Sequence, residues 1–217
     1  MSSTLSRCIA AAGLLLATAV TASAHPHVLI DAKAEMVFDK GKLTAIRHIW
    51  QFDAAFTAFA VQGLDENNDG KLSDAELEPL AKVNVESLAE FGFFTYLNAN
   101  GKDVAVAPPK EYWLEFHQGR LTLFYTLPLK APVESKGTTT LQVFDPEYFV
   151  AFGVLPDNPI TLDGAPAGCS ATYRPPQELN ARTMALLATI PADQRILPPS
   201  LRSAASALAN LITLTCK

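Results

Sequence analysis

From residue 27 to residue 38 apolar and polar positions alternate, Asp39-Lys40-Gly41-Lys42 interrupts them, and alternation returns from 43 to 52 with Ile46, His48 and Trp50 on one side. A period of two marks a half-buried strand, and the interruption is made of turn formers, so the segment predicts a β-hairpin. The period then lengthens. Phe56, Phe59, Ala60, Val61 and Leu64 recur at helical spacing over residues 54–64, and Leu77, Leu80, Ala81, Val85 and Leu88 do so over residues 73–91. Strand patterning resumes at 93–98, 103–107, 112–117, 121–129, 138–144, 148–154, 160–162 and 170–173, with Asn100-Gly101 and Gln118-Gly119 as turns. Short strands at this spacing imply a mainly β chain with α: an antiparallel β-sandwich carrying a helix pair inserted at 54–91. The tail, 176–217, reads as two helices, 177–190 and 200–214, each bounded by proline, with Leu201, Ala204, Leu208, Leu211 and Ile212 on one face of the second.

Between the two inserted helices lies the run Asp65-Glu66-Asn67-Asn68-Asp69-Gly70-Lys71-Leu72-Ser73-Asp74-Ala75-Glu76, which fills every position of an EF-hand calcium loop. Ca2+ is a hard cation that takes about 6 to 8 oxygens, and a chain wrapping around it offers them at alternate positions. Asp65, Asn67 and Asp69 are the first side-chain donors. Lys71 contributes its backbone carbonyl, Ser73 sits where a water often relays the contact, and Glu76 closes the cage with both carboxylate oxygens. Gly70 stands at the sharp turn. A plain Asp/Asn-rich surface turn is the alternative, yet such a turn has no need of Leu72 or Glu76 at those spacings. A single hand, with no second copy to pair with, is expected to brace a fold rather than to open a groove.

The start of the chain has Arg7 in a short polar lead, an apolar stretch over 9–20 and then Ala22-Ser23-Ala24. That order predicts a secretory signal peptide at 1–24 and a single mature domain at 25–217, beginning at His25, with no membrane span once the signal is removed. Cys169 and Cys216 are the cysteines of the mature part, and an exported chain is expected to join them; a pair of thiolate metal ligands is the other reading. The formal charge is −5, and no basic patch calls for nucleic acid. No serine-hydrolase elbow, zinc-protease helix, cysteine-nucleophile signature or phosphate-cradling glycine loop occurs, so the expectation is binding rather than catalysis.

His25-Pro26-His27, Trp50-Gln51-Phe52-Asp53, the acidic loop and Phe144-Asp145-Pro146-Glu147-Tyr148-Phe149, in that order, resemble a family of bacterial proteins described as periplasmic components of an ABC-type transport system and met beside nickel/cobalt-type permeases. The resemblance covers most of 25–173 and implies a periplasmic location, a transition-metal cargo and an inner-membrane permease or ABC-type transporter as partner. It also implies Asp145 and Glu147 as candidate metal ligands.

Chemistry at the predicted mature terminus leads to the same place. A free α-amine and the imidazole of His25 can chelate one ion, and His27 adds a second imidazole; such donors suit Zn2+, Ni2+, Co2+ or Cu2+. Pro26 has no N–H to deprotonate, which obstructs a square-planar amide chelate, so further ligands must come from elsewhere, His48 or His117 by residue type. A frayed polar terminus is the alternative. Glu115 and His117 share a strand face and form a weak acid/base candidate. The leading reading is a periplasmic accessory protein binding Ca2+ and a transition metal. Its rivals are a copper-dependent oxidase or monooxygenase with His25 as an amino-terminal brace, and a calcium-stabilised structural subunit of a transport complex.

Overall fold

A computed structural model describes residues 26–154, 159–191, 194 and 196–217, so the predicted signal peptide and His25 lie outside the described residues. In chain order the elements are β1 (Val28–Asp39), β2 (Lys42–Phe52), α1 (Ala54–Ala60), α2 (Asp74–Ala89), β3 (Thr95–Ala99), β4 (Lys102–Val104), β5 (Tyr112–His117) and β6 (Arg120–Glu134). They continue as β7 (Gly137–Val143), β8 (Val150–Val154), β9 (Ile160–Asp163), β10 (Cys169–Arg174), α3 (Ala181–Ala188), α4 (Pro199–Ala207) and β11 (Asn210–Cys216).

The first hairpin forms as its alternation predicts. Ala34 faces His48 across β1 and β2, and Ile30, Ala32, Met36, Ile46, His48 and Trp50 all turn into the core. The first sheet has the order β5-β6-β2-β1-β8, with β9 also pairing β1. A second sheet has the order β10-β11-β7-β3-β4, and Leu97, Leu141, Val143, Ile212 and Leu214 from it join one buried cluster with the first hairpin. The mainly β fold with inserted helices is therefore present. The all-antiparallel expectation needs correction, because β8 and β9 both run parallel to β1. The chain reaches them after β7 in the other sheet, and a strand that returns by crossover is free to lie parallel to its neighbour.

The tail also departs from expectation. Its second helix stops at Ala207, and residues 210–216 form β11, paired with β10 on one side and β7 on the other. Ala-rich sequence favours helix up to Ala207, but Ile212, Thr213 and Thr215 are β-branched, and Asn210, Ile212, Leu214 and Cys216 alternate into the core. Two ladders of backbone hydrogen bonds and one buried face outweigh the helical spacing. Cys169 and Cys216 stand opposite each other on β10 and β11 and are joined as a disulfide. Leu187, Ile190, Leu197, Leu201 and Ala205 of the α3–α4 region form a small separate cluster. Among the described residues no helix is long and apolar enough to cross a membrane.

The incoming helix is shorter than its pattern suggests. Phe59 is 73% exposed, and Thr57, polar but almost fully buried, takes the inward position. The Thr57 hydroxyl accepts the backbone N–H of Leu121 at 3.2 Å, at the start of the β6 segment that follows the β5–β6 turn. A satisfied polar group is worth more there than a phenyl ring, because a buried N–H without a partner is costly.

Candidate functional site

The acidic loop is drawn together by its own side chains. Asp65 accepts N–H groups from Asp69 at 3.1 Å and from Gly70 at 2.9 Å, Asn67 accepts Asp69 N–H at 2.8 Å, and Asp69 accepts Lys71 N–H at 2.8 Å. These bonds tie the side-chain oxygens of Asp65, Asn67 and Asp69 to backbone N–H groups of their own loop. Gly70 has φ of +78°, in the left-handed region that favours glycine at the turn. Ser73 is the N-cap of α2 and Glu76 its third residue, and the two form a reciprocal capping box. Glu76 accepts from Ser73 N–H at 2.8 Å, from the Ser73 hydroxyl at 2.7 Å and from Glu66 N–H at 3.0 Å. Those bonds, Ser73's backbone N–H foremost, hold its carboxyl below the usual range.

A donor set of hard oxygens, with carboxylates at the first, fifth and twelfth positions, fits Ca2+ and does not fit a soft metal. Among the described residues, however, no three His, Cys, Asp or Glu side chains converge closely enough to hold an ion. Glu76 in particular is engaged as a cap by the Ser73 backbone N–H and hydroxyl. The flanking helices are anchored independently of that. Asp53 caps α1 by accepting N–H groups from Ala55 and Phe56, and it also accepts Leu29 N–H at 2.9 Å while giving its own N–H to Leu29 O at 2.9 Å.

At the other candidate site the structure brings His27 beside Phe149, with backbone N–H to carbonyl at 2.8 Å and ring centroids 4.5 Å apart. Phe149 belongs to a turn tied by the buried Asp145. Its carboxylate accepts N–H groups from Glu147, Phe149 and Val150 at 2.8, 2.8 and 2.9 Å. Burial pushes the Asp145 carboxyl up, against the pull of those donors. About four lone-pair directions exist on a carboxylate, so Asp145 keeps little capacity for a metal and acts as a backbone anchor. One Glu147 oxygen accepts Leu197 N–H, and the other lies 4.0 Å from Arg202 Nε.

Neither of the other described histidines reaches this corner. His48 faces Ala34, seven residues along β1 from His27, which is roughly 24 Å at strand rise. It is fully buried, its Nε2 lies 3.1 Å from the Thr95 hydroxyl, and that hydroxyl donates to Phe93 O at 2.7 Å. The hydroxyl proton is thus committed, so Nε2 carries hydrogen and the ring is neutral, with a pKa lowered to about 3 by burial. His117 closes β5 opposite Arg120, three strands away from β1, or roughly 14 Å. Its neighbour Glu115 accepts Trp113 Nε1–H at 3.0 Å.

Between the helix pair and the open end of the first sheet lies a cavity of about 260 Å³. Val28, Ile30, Trp50 and Phe52 form its sheet wall, Phe56 comes from α1, and Leu88 and Phe91 from the end of α2. Asp145, Glu147 and Phe149 complete it, so residues 50–52 and 145–149, two of the segments on which the family resemblance rests, meet at one place. Residues 10–216 match a family described as protein of unknown function DUF1007. The chain belongs to the DUF1007 family. It is 26% identical over 131 residues to a Haemophilus influenzae protein described as uncharacterized, covering 59% of this chain and 62% of that protein's length. Over 98 residues it is also 26% identical to an uncharacterized 15.5 kDa protein in the trpE 3′ region of Spirochaeta aurantia, covering 45% of this chain and 70% of the other. The chain therefore spans less than two thirds of the Haemophilus protein.

Two features of this DUF1007 chain escape a reading of the sequence by local pattern. Asp53 gives the ordinary signal of a helix cap, and its second bond, to Leu29, needs the sheet to be formed. The cavity draws on β1, β2, α1, α2 and the 145–150 turn, and only its aromatic richness is visible beforehand.

Proposed function

We propose that this DUF1007 protein is an exported, periplasmic calcium-binding accessory protein of a metal transport system, serving in binding and delivery. One Ca2+ would be held by the side chains of Asp65, Asn67, Asp69, Ser73 and Glu76 and by the carbonyl of Lys71, linking the end of the α1 segment to the start of α2. Bound there, the ion supplies charge neutralisation and a rigid cross-link. His25 and His27 would offer imidazole, with the α-amine once the signal peptide is removed, to Zn2+, Ni2+, Co2+ or Cu2+ for exchange with an inner-membrane permease.

What supports the calcium reading is the spacing of oxygen donors from Asp65 to Glu76, in a loop closed on itself by the Glu66 N–H bond to Glu76. The docking of His27 against the turn that bears Glu147 supports the terminal site. Calorimetric titration of Ca2+ into the protein and into Glu76→Gln tests the first part: the variant should lose at least tenfold in affinity, and equal affinities reject the loop as the site. Zn2+, Ni2+ and Cu2+ titrated into processed protein and into His25→Ala/His27→Ala, with Ca2+ present throughout, test the second. Unchanged affinity in the double variant removes the transition-metal role and leaves calcium.

A further inference from the structure

We propose that the cavity between the helix pair and the first sheet binds a small organic cation, an amine head against Glu147 and an apolar body among Trp50, Phe52, Phe56 and Phe91. This goes beyond the metal-binding reading and does not depend on it.

The argument begins with size and wall chemistry. A volume of about 260 Å³ lies just below the ordinary range for small-molecule sites, about 300 to 1,000 Å³, and suits a body of one ring or a short alkyl chain. The walls are largely aromatic and aliphatic. Among the described residues, the charged ones that line the cavity, Asp145 and Glu147, are both acids, and no base lines it. An anionic ligand would meet repulsion there, and a hydrocarbon would gain nothing from the acidic end. A cation meets the Glu147 carboxylate and the negative faces of the rings.

The two acids divide the work. Asp145 has three of its lone pairs occupied by backbone N–H groups, so it fixes the turn. Glu147 has one oxygen on Leu197 N–H, and its other oxygen has Arg202 at the outer limit of an ion pair, 4.0 Å. That oxygen is the acceptor for an ammonium head. Two neutral polar groups, Asn84 and Ser87 of α2, also stand on the wall, and the Asn84 amide N–H is committed to Leu80 O at 2.9 Å, which leaves its carbonyl as a second acceptor.

Backbone strain collects at the same place. Phe93, Phe94 and Tyr148 have φ of 56°, 50° and 54°, a region that bulky residues rarely adopt. Phe94 lines the cavity and Tyr148 sits between the two lining residues Glu147 and Phe149. The other non-glycine residues at positive φ are Lys40, Asn68, Asn100 and Gln118, all in turns or the acidic loop. Strained aromatics held by their surroundings are a feature of ligand sites.

The test uses three probes with one body: hexylamine, hexanol and hexanoate, titrated calorimetrically into the full protein at neutral pH. Hexylamine should bind at least tenfold more tightly than hexanoate. Glu147→Gln keeps an acceptor for Leu197 N–H and should bring hexylamine down to the affinity of hexanol, with hexanol unchanged. Leu88→Phe fills the cavity and should weaken hexylamine and hexanol alike; Ser87→Phe at the exposed rim repeats the test without touching the core. Absence of binding by all three probes overturns the proposal. So does equal affinity for hexylamine and hexanoate, an unchanged amine-to-alcohol ratio in Glu147→Gln, or full binding in both filled variants.

Discussion

The backbone N–H of Glu66 donates to Oε1 of Glu76 at 3.0 Å, a bond between the second and the last residue of the acidic loop. Without an ion, Glu76 serves two backbone groups and the Ser73 hydroxyl, and it is held by Ser73 above all. Ser73→Ala removes that hydroxyl, which donates to Glu76 and accepts Glu76 N–H in return. We expect the calcium-free protein to lose about 1 kcal/mol in urea unfolding, the ordinary value of an N-cap. With saturating Ca2+ the loss should be at least as large, because Ser73 is then also one of the groups that hold the ion. A smaller loss with Ca2+ than without it would remove Ser73 from the calcium site.

Asp53 links the first strand to the first helix, and Asp53→Ala removes three accepted N–H bonds at once, from Leu29, Ala55 and Phe56. A destabilisation of about 1 to 3 kcal/mol is expected, the range for a lost cap together with an orphaned strand donor. Asp53→Asn keeps an acceptor oxygen and should lose less. Thermal unfolding of the two variants side by side decides it.

Acid should unfold the protein partly through His48. Burial lowers its pKa from 6.5 to about 3 in the folded chain, so the unfolded chain binds the proton first. A base with a depressed folded pKa contributes stability that is fully present above pH 6.5 and is lost as pH falls toward 3. Across that window the slope for one such group is about 1.4 kcal/mol per pH unit. His48→Phe, packed among Trp50 and Tyr125, should flatten the fall in stability between pH 6 and pH 4. A slope identical to that of the parent protein would reject His48 as the cause of the fall in that window, since Asp53 acts only at lower pH, as pH drops below the usual carboxylate value. Burial raises the Asp53 pKa, but the N–H groups of Leu29, Phe56 and Ala55, together with Arg120, outweigh it and hold the carboxyl below its usual value.

Reducing the Cys169–Cys216 bond should cost about 2 to 4 kcal/mol, since it closes a loop of 47 residues in the unfolded chain. Both cysteines are within paired strands, so β10 and β11 should remain paired after reduction. Denaturant unfolding with and without dithiothreitol, read by circular dichroism, separates a lower midpoint from a lost strand pair.

What a chain reveals of itself in advance depends on how local the cause is. The β1–β2 hairpin, the turn at Gly70 and the pairing of Cys169 with Cys216 are legible because alternation, turn-forming residues and the scarcity of cysteines carry the signal without the rest of the fold. Residues 210–216 are not, because Leu208, Leu211 and Ile212 satisfy a helical period as well as Asn210, Ile212, Leu214 and Cys216 satisfy a strand period, and the place between β10 and β7 decides between them. Thr57 displaces Phe59 from the inner face for a similar reason, an N–H of Leu121 that lies 64 residues away. The placement of Asp145 and Glu147 divides along the same line. That the segment matters is suggested by its residues, whereas its role as a backbone anchor with one acidic face on a cavity is a fact of the third dimension.

The position of β11 governs the order in which the molecule can be made. Residues 210–216 occupy the second place in the sheet β10-β11-β7-β3-β4, so β10 has no ladder partner there until they arrive. Sheet pairing across such sequence distances is slow, so among the described strands the pairing of residues 210–216 is the step that brings β10 into the second sheet.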